Sequence, residues 1–216
     1  MILYQLTTDG NMDFIHISQC IPWLERAFLT GRNLNEIPSP RIFKTHWHLS
    51  RVRQWPGRYI YVSRDGRDVA VSYFHFYKAY LGFEGTFAEF FEMFLQGTVQ
   101  YGTWFRHLDD AKKYKACAST MILRYEDLKS DLDQCIKTIA AFCCFDLKEN
   151  FKEIVDRCTF EFMRRYELKF DHATEIWWER TRQDGRFLRQ GKVGDWVNHF
   201  TPEQQLAFEA AIAALY

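Results

Sequence analysis

The sequence predicts an α/β fold, with a parallel β-sheet flanked by helices, in a single domain spanning residues 1–216. Two short apolar runs, residues 58–63 and 120–123, have the length and composition of buried strands. Each is followed by a helical pattern, at residues 68–80 and 132–142. Strands that alternate with helices are typical of a parallel sheet. With 216 residues, 47% of them hydrophobic, the chain is long enough to bury one such core.

The elements before the first strand are predicted from the first 40 residues. The opening letters MILYQL have the apolar character of a helix end. Asp13 is expected to cap the helix that follows, with Ile15, Ile17 and Ile21 available for burial before Pro22 interrupts it. Turn-forming residues then gather at 31–40, which predicts a loop.

The later part of the chain is predicted to be mostly helical. Helical patterns occur at residues 87–95, 101–114, 151–158 and 202–215. The stretch 164–186 is polar and has no regular period, although it contains Trp177 and Trp178. Long stretches of that kind often cover a site, so we predict a lid or flexible loop there.

Composition limits the functional classes. The chain has 28 basic and 28 acidic residues, so its zero net charge does not indicate a nucleic-acid or membrane partner. Its six cysteines form no CxxC pair, which favours reduced thiols and argues against a zinc site. The N-terminus lacks a signal-peptide pattern, and no apolar run reaches the roughly 20 residues that a membrane helix needs. We predict a cytoplasmic protein.

Arg64 is a candidate anion ligand. It follows the strand at 58–63 and precedes a helix, where backbone N–H groups and an arginine fork can bind phosphate. Ser72 lies two helical turns later and can offer a hydroxyl on the same face. The alternative is that Arg64 pairs with Asp65 or Asp68 and that Ser72 has no special role. This segment alone leaves both interpretations open.

The cluster Lys44-Thr45-His46 is a candidate catalytic group. A histidine can accept a proton from an attacking hydroxyl near neutral pH, and a neighbouring lysine can neutralise charge on a leaving oxygen. Such a pair suits group transfer. The alternative is a structural histidine beside a solvated lysine.

A third cluster, FLRQGKVGDWVNHF at residues 187–200, combines Arg189 with Gly191 and Gly194. Glycines let the backbone approach an anion closely. The segment is not a Walker loop, because the spacing from Gly185 is one residue too long and Val193 replaces the magnesium-binding Ser or Thr. These two departures argue against a nucleotide kinase. Alone, the segment also fits a simple turn with a basic side chain.

Together these clusters resemble the cytosolic sulfotransferases that use 3′-phosphoadenosine 5′-phosphosulfate (PAPS). The matching segments cover nearly the whole chain and occur in the family's order. They are IPWLE at 21–25, KTH at 44–46, YVSRDGRDVAVSYFHF at 61–76, YGTWFRH at 101–107, RYEDLKSD at 124–131 and RQGKVGDWVNHFT at 189–201. The resemblance implies a P-loop NTPase-like fold, sulfuryl transfer to a hydroxyl or amine of a small molecule, and no metal.

The resemblance also implies roles for individual residues. His46 matches the general base, and Lys44 matches the lysine that assists at the transferring group. Phe76 matches an aromatic residue of the acceptor pocket. The residues that match the nucleotide site are Arg64 and Ser72 at the 3′-phosphate, Tyr125 beside the nucleotide, Cys158, Phe160 and Met163 near the adenine, and the closing loop of Arg189, Gln190 and Gly191.

The sequence departs from the family in several places. A loop resembling PKSGTTW, which cradles the 5′-phosphosulfate in the family, is missing, so we expect a truncated domain without its first strand. Gln190 replaces a lysine, and Cys158 replaces a threonine. The dimer motif KxxxTVxxxE, which would start at Val197, is largely absent, which favours a monomer or another dimer mode. Two hypotheses follow: a sulfotransferase recorded in truncated form, or an inactive remnant that binds 3′-phosphoadenosine nucleotides or acts as an interaction protein.

The acceptor is not specified by the sequence. The aromatic residues Trp47, Phe74, Phe76 and Trp177 can line an apolar pocket for a phenol or a hydrophobic alcohol, or they can belong to the core.

Overall fold

The computed structural model describes residues 1–171 and 186–215. Two strands are present in this part, β1 (Tyr59–Ser63) and β2 (Thr120–Arg124). The α-helices are α1 (Ile2–Thr7), α2 (Ile17–Cys20), α3 (Leu24–Thr30), α4 (Leu49–Val52), α5 (Gly66–Tyr80), α6 (Phe87–Gln96), α7 (Trp104–Lys113), α8 (Tyr125–Ser130), α9 (Leu132–Cys143), α10 (Phe151–Arg157), α11 (Phe160–Arg165) and α12 (Pro202–Ala213). None of these helices has the length and apolar character needed to cross a membrane.

The two strands form a parallel sheet. Their register runs from the pair Tyr59 and Thr120 to the pair Ser63 and Arg124. Both strands therefore end at the same edge, where α5 and α8 begin. The predicted α/β class, with a parallel sheet flanked by helices, is confirmed.

Local sequence explains where several helices begin and end. Thr86 and Glu89 form a capping box at the start of α6, and Gly97, in the left-handed conformation, ends that helix. At α12, Thr201 and Gln204 form the same box, and Pro202 occupies the first turn, where its missing N–H costs nothing. These boundaries lie within two residues of the predicted ones.

Packing divides the described chain into two compact units. The unit of residues 47–129 and 192–215 contains the sheet, α4 to α7 and α12. Its core is rich in phenylalanine, and Phe90, Phe91, Phe94 and Phe208 are almost fully buried. A Cβ at Gly66 would lie 2.6 Å from Phe208, so glycine allows the first turn of α5 to pack closely on this core.

The other unit comprises residues 1–46, 130–171 and 186–191. Here α1 packs against α9 and α10. A smaller cluster joins Tyr4, Phe14 and Phe170, with the ring of Tyr4 edge-on to that of Phe14 at 5.0 Å. Whether the two units form one folding domain stays a prediction.

The predicted role of Asp13 as a helix cap is wrong. The helix begins only at Ile17, and its cap is His16, whose Nδ1 accepts the Ser18 N–H. Asn11 accepts the N–H of Asp13, so this segment forms a side-chain-stabilised turn instead of a helix. Ile15 is consequently 79% exposed. Ile17 and Ile21 are partly buried.

The predicted loop at 164–186 is partly corrected. Arg164 and Arg165 end α11, and Glu167–Lys169 form a 3₁₀ turn. The Lys169 ammonium donates to the carbonyls of Met12 and Phe14, so these residues are held in place. The remainder of the predicted loop, including Trp177 and Trp178, lies in residues 172–185, outside the described part.

Candidate functional site

Lys44 and His46 lie beside the start of α3. The Lys44 N–H donates to the Pro22 carbonyl at 2.9 Å, and the Leu24 N–H donates to the Lys44 carbonyl at 2.8 Å. This bridge between Trp23 and Lys44 is parallel, like one rung of a sheet. It brings the KTH segment next to the IPWLE segment, although about twenty residues separate them in the chain.

Glu25 fixes the KTH segment in place. Glu25 is a buried residue, and its carboxylate oxygen Oε1 accepts the Thr45 hydroxyl at 3.0 Å and the His46 N–H at 2.5 Å. The same oxygen lies 4.0 Å from Nδ1 of the His46 ring. The ring of Trp23 meets the imidazole edge-on, with centroids 4.9 Å apart. The histidine is therefore held through both its backbone and its ring.

The Lys44 ammonium lies against the face of Trp23, 4.9 Å from the ring centroid, in a cation–π contact. Lys44 is an exposed residue by surface area, although its ammonium is partly desolvated where it packs on the Trp23 ring. This desolvation, helped by nearby Arg26 and opposed by Glu25, lowers the pKa of Lys44 to about 8. At neutral pH the side chain is still mostly charged, as charge neutralisation requires.

Arg64 lies immediately after β1, next to the start of α5. Its Nη2 donates to the Lys192 carbonyl at 2.8 Å, and its guanidinium carbon lies 4.5 Å from the centroid of the Tyr125 ring. Nη2 also lies 3.5 Å from Asp68 Oδ2. The ion pair with Asp68, which the alternative interpretation expected, is therefore present. Nε of Arg64 is buried and has no hydrogen-bond partner among the described residues.

Asp68 holds the turn that follows the closing loop. It is 1% exposed, and its two oxygens accept the N–H of Gly194 at 2.8 Å and of Trp196 at 3.1 Å. The Arg67 guanidinium carbon lies 3.8 Å from the Trp196 ring centroid and adds a second attachment. Residues 194–196 are thus fixed to the first turn of α5.

A cavity of about 460 Å³ lies at this end of the sheet. Its acidic residues are already engaged: Asp65 pairs with Arg67 at 2.7 Å, and Glu126 accepts the Asp65 N–H at 3.1 Å. Arg64 Nε, by contrast, retains an unused donor. The cavity is lined by Ser63, Arg64, Asp65, Asp68, Leu108, Arg124, Glu126, Val193, Gly194 and Trp196.

Tyr125 begins α8 beside Arg64. Burial raises the pKa of its phenol, Arg64 opposes this shift, and Asp68 and Glu126 add to it. The hydroxyl is therefore neutral at physiological pH and can donate a hydrogen bond.

Ser72 and Phe76 lie further along α5. Ser72 is exposed on the second turn, and the structure shows no hydrogen bond between it and Arg64. Phe76 is partly buried, stacks on Tyr80 at 4.9 Å and packs against the phenylalanine core. Its contacts fit the interpretation as a core residue, while its role at an acceptor stays a prediction.

Gly191 packs directly on Phe160. Its φ is +62°, and a Cβ there would lie 2.4 Å from Cδ2 of the Phe160 ring. The glycine therefore lets the closing-loop backbone approach the aromatic face. Arg189 is partly buried beside it and Gln190 is exposed. Cys158 is buried, which raises the pKa of its thiol to about 11, and Met163 packs on the cluster around Tyr4.

The sequence profile of the sulfotransferase domain matches residues 2–216. The chain belongs to the sulfotransferase family. It is similar to sulfotransferase 1B1 of Mus musculus, with 34% identity over 225 residues that cover 97% of this chain and 75% of that relative. The recognition made from the sequence motifs is confirmed.

Two solved structures share the sulfotransferase fold. Retinol dehydratase in complex with androsterone and inactive cofactor PAP has a TM-score of 0.83 at 23% identity, and the match covers 99% of this chain and 75% of that one. A mouse sulfotransferase complexed with PAP has a TM-score of 0.70 at 31% identity, over 82% of this chain and 66% of that one. The chain thus spans two thirds to three quarters of these relatives.

The predicted sulfotransferase site residues fall in both units. Lys44, His46, Cys158, Phe160, Met163, Arg189, Gln190 and Gly191 belong to the unit that contains α1, and Arg64, Ser72, Phe76 and Tyr125 belong to the unit that contains the sheet. Within the described chain, no group of three or more His, Cys, Asp or Glu side chains is arranged to hold a metal ion.

Sequence reasoning missed the functions of Glu25 and Asp68 in this sulfotransferase. Glu25 is the last letter of the IPWLE segment, which was matched only as a whole. Asp68 was considered only as a partner of Arg64. For Glu25 the available signal was an acidic residue directly after the apolar run IPWL, because a buried carboxylate needs partners, whereas Asp68 stands among charged residues and offered no such signal.

We expect Gly191→Ala to destabilise this sulfotransferase by about 2–4 kcal/mol, the sum of left-handed backbone strain and crowding against Phe160. The measurement is urea unfolding. Gly31→Ala is the matched control, because Gly31 has a φ of +65° but a Cβ added to it would meet no atom within 4 Å. It should cost only about 1–2 kcal/mol. Equal losses would show that Phe160 does not restrict residue 191.

Proposed function

We propose that this chain carries the acceptor-activating residues and the 3′-phosphate site of a PAPS-dependent sulfotransferase that acts on a small-molecule hydroxyl or amine. The observation that carries the proposal is Arg64, whose buried Nε has no partner among the described residues and which lines a cavity at the carboxyl end of the sheet. Ligands bind at such edges in open α/β sheets. Similarity to a mouse sulfotransferase complexed with PAP supports the same assignment.

The residues divide the chemistry in a simple way. His46 accepts the proton from the acceptor hydroxyl as the oxygen attacks sulfur, and the Lys44 ammonium neutralises charge on the bridging oxygen that leaves with the 5′-phosphate. An S–O bond forms with a hydroxyl acceptor, or an S–N bond with an amine, while the S–O bond to the 5′-phosphate breaks and the bisphosphate PAP is released. The protein supplies mainly position and charge, as in phosphoryl transfer.

The nucleotide would be bound by the closing loop, residues 189–191, together with residues from other segments. Arg64, Ser72, Arg189 and Gly191 would bind the 3′-phosphate, with Gln190 contributing no charge. Phe160 would stack on adenine through its aromatic ring. Because residue 191 is a glycine, the backbone of the closing loop can lie directly against the same side chain. Tyr125, Cys158 and Met163 would surround the nucleotide.

The 216 residues contain no segment resembling PxSGTTW, which would hold the 5′-phosphosulfate. Transfer is therefore proposed for the whole protein, whereas binding can be tested on this chain. A second candidate is a protein that binds PAP without transferring sulfate, because the residues proposed for the 3′-phosphate are present in this chain. A cytoplasmic location, the absence of nucleic-acid and membrane partners, and a monomer or another dimer mode stay predictions.

The test is binding of PAP, measured by thermal shift and isothermal titration calorimetry. We expect PAP to raise the melting temperature more than ADP, which lacks the 3′-phosphate. Arg64→Ala should weaken PAP binding by about 10- to 100-fold, because a charge-assisted hydrogen bond is lost. Arg64→Lys keeps the positive charge but loses the paired N–H donors of the guanidinium, so the affinity of this variant for PAP should lie between those of the wild type and Arg64→Ala.

Arg58→Ala is the matched control, since Arg58 precedes β1 and Arg64 follows it. This change should leave PAP affinity within about twofold, as expected for a residue outside the site. No stabilisation at about millimolar PAP, or equal affinity of the wild type and Arg64→Ala, would refute the site. Binding without turnover by the whole protein on any phenol, alcohol or amine would select the second candidate.

A further inference from the structure

We propose that Glu25 is a positioning residue that sets the direction of the His46 ring and places the ring proton on Nδ1. This inference rests on the proposed function, in which His46 accepts a proton. It adds Glu25, the last residue of the IPWLE segment, to the residues proposed to act in proton transfer. Three contacts on one carboxylate oxygen carry the inference.

The first two contacts hold the Thr45–His46 segment, one through the Thr45 hydroxyl and one through the His46 backbone N–H. Oε1 of Glu25 accepts both the Thr45 hydroxyl and the His46 N–H. Because the Cα–Cβ direction follows from the backbone, these hydrogen bonds restrict where the imidazole can point. The edge of Trp23 closes one side of the ring at 4.9 Å. The anchored Thr45–His46 segment and the contact with Trp23 together reduce the range of orientations open to the His46 ring.

The third contact selects the tautomer. Oε1 lies 4.0 Å from Nδ1, which is too long for a hydrogen bond but close enough for a charge to act through a poorly solvated region. A negative charge beside Nδ1 favours the tautomer with its proton there. Nε2 then carries the lone pair and becomes the atom that accepts the acceptor's proton.

The same carboxylate also stabilises the histidine after proton transfer. An imidazolium forms with its Nδ1 4.0 Å from the Glu25 carboxylate oxygen, and an opposite charge at that distance favours the protonated ring. Glu25 also opposes the lowering of the Lys44 pKa, so its carboxylate acts on the charge of both Lys44 and the neighbouring histidine segment. Removal of this carboxylate would take away that stabilisation of the imidazolium.

The burial of Glu25 argues against a purely structural role. Its second oxygen, Oε2, is buried and has no hydrogen-bond partner within the described part of the chain. A carboxylate kept only to link two segments would be expected to use both oxygens, because an unsatisfied buried acceptor is costly. A buried charge held beside a ring nitrogen is what orientation of a histidine requires.

The experiment compares wild type, Glu25→Gln and Glu25→Asp in the whole protein. Long-range ¹⁵N correlation spectra of histidine-labelled protein report the tautomer of His46, whose signals are assigned with His46→Gln. We expect the Nδ1–H form in the wild type, and a shift towards Nε2–H in Glu25→Gln. Glu25→Asp, which keeps the charge, should restore most of the Nδ1–H population.

The kinetic readout separates positioning from binding. Glu25→Gln should lower kcat about 10- to 100-fold, part of the usual contribution of a general base, with KM for PAPS and acceptor changed by less than about threefold. Thr45→Val removes one hydrogen bond to the same oxygen and should keep the wild-type tautomer. Thermal unfolding of each variant identifies any loss that comes from misfolding.

An unchanged His46 tautomer in folded Glu25→Gln would overturn the inference, and so would a loss of activity explained by unfolding alone. The spectra do not depend on turnover. If the wild type transfers no sulfuryl group, the proposed transfer activity fails, and a shifted tautomer in Glu25→Gln still supports control of His46 by Glu25.

Discussion

Replacing His46 with alanine is expected to lower the rate constant for sulfuryl transfer by about 10²- to 10⁴-fold, the usual contribution of a general base. The expectation follows from its position, because Glu25 and Trp23 hold the ring in place beside the Lys44 segment. The measurement is kcat of the whole protein at saturating PAPS and acceptor. Affinity for PAP should change by less than about threefold, since His46 is not assigned to the nucleotide.

His48→Ala is the control for this change. His48 lies two residues later and stacks on His107 with ring centroids 3.9 Å apart, so it is a histidine of the same region with a different set of contacts. It should keep kcat within about threefold of the wild type. If His46→Ala and His48→Ala lowered kcat equally, a general-base role for His46 would be untenable.

Asp68→Ala should lower the free energy of unfolding by about 3–5 kcal/mol, as is typical when one partner of a buried charged pair is removed. The carboxylate is almost completely buried, pairs with Arg64 and accepts two backbone N–H groups from the turn at 194–196. Its loss leaves those donors without an acceptor. Urea unfolding should show a midpoint lower by about 1 M or more.

Asp109→Ala provides the comparison for this stability prediction. Asp109 also pairs with a cation four residues away, Lys113, but both side chains are exposed. Such pairs contribute little because water screens them, so the urea midpoint should be unchanged within error. The urea midpoint of Asp68→Asn should lie between those of Asp68→Ala and Asp109→Ala, because the amide oxygen can still accept one hydrogen bond. Equal midpoints for Asp68→Ala and Asp109→Ala would contradict the assigned role of the buried carboxylate.

The secondary structure was predictable where local signals decide it. The apolar run of β1, the period of α5 and the caps at Thr86 and Thr201 each specify an element without reference to distant residues. The region near Asp13 was not, because the cap predicted at Asp13 lies in a turn and His16 caps the helix instead. Asn11 captures the Asp13 N–H and decides the outcome.

The candidate site residues were named from motif wording, and their roles stay a prediction. Motif wording identified His46 and Arg64, because these side chains would contact the substrates directly. Glu25 and Asp68 act on backbone groups 21 to 128 residues away, and no spacing rule connects such partners. Their importance arises from a three-dimensional contact that the linear pattern does not contain.

The attachment of residues 194–196 to Asp68 has a consequence for how this part of the protein can change during evolution. Both hydrogen bonds from the turn are donated by main-chain N–H groups, so they do not depend on which side chains the turn carries. Gly194 is constrained by its φ of +80°, and Trp196 by its contact with Arg67. Val193, which is 48% exposed and lines the cavity, has neither constraint. Selection can therefore alter the cavity wall at this position without moving the backbone that supports it.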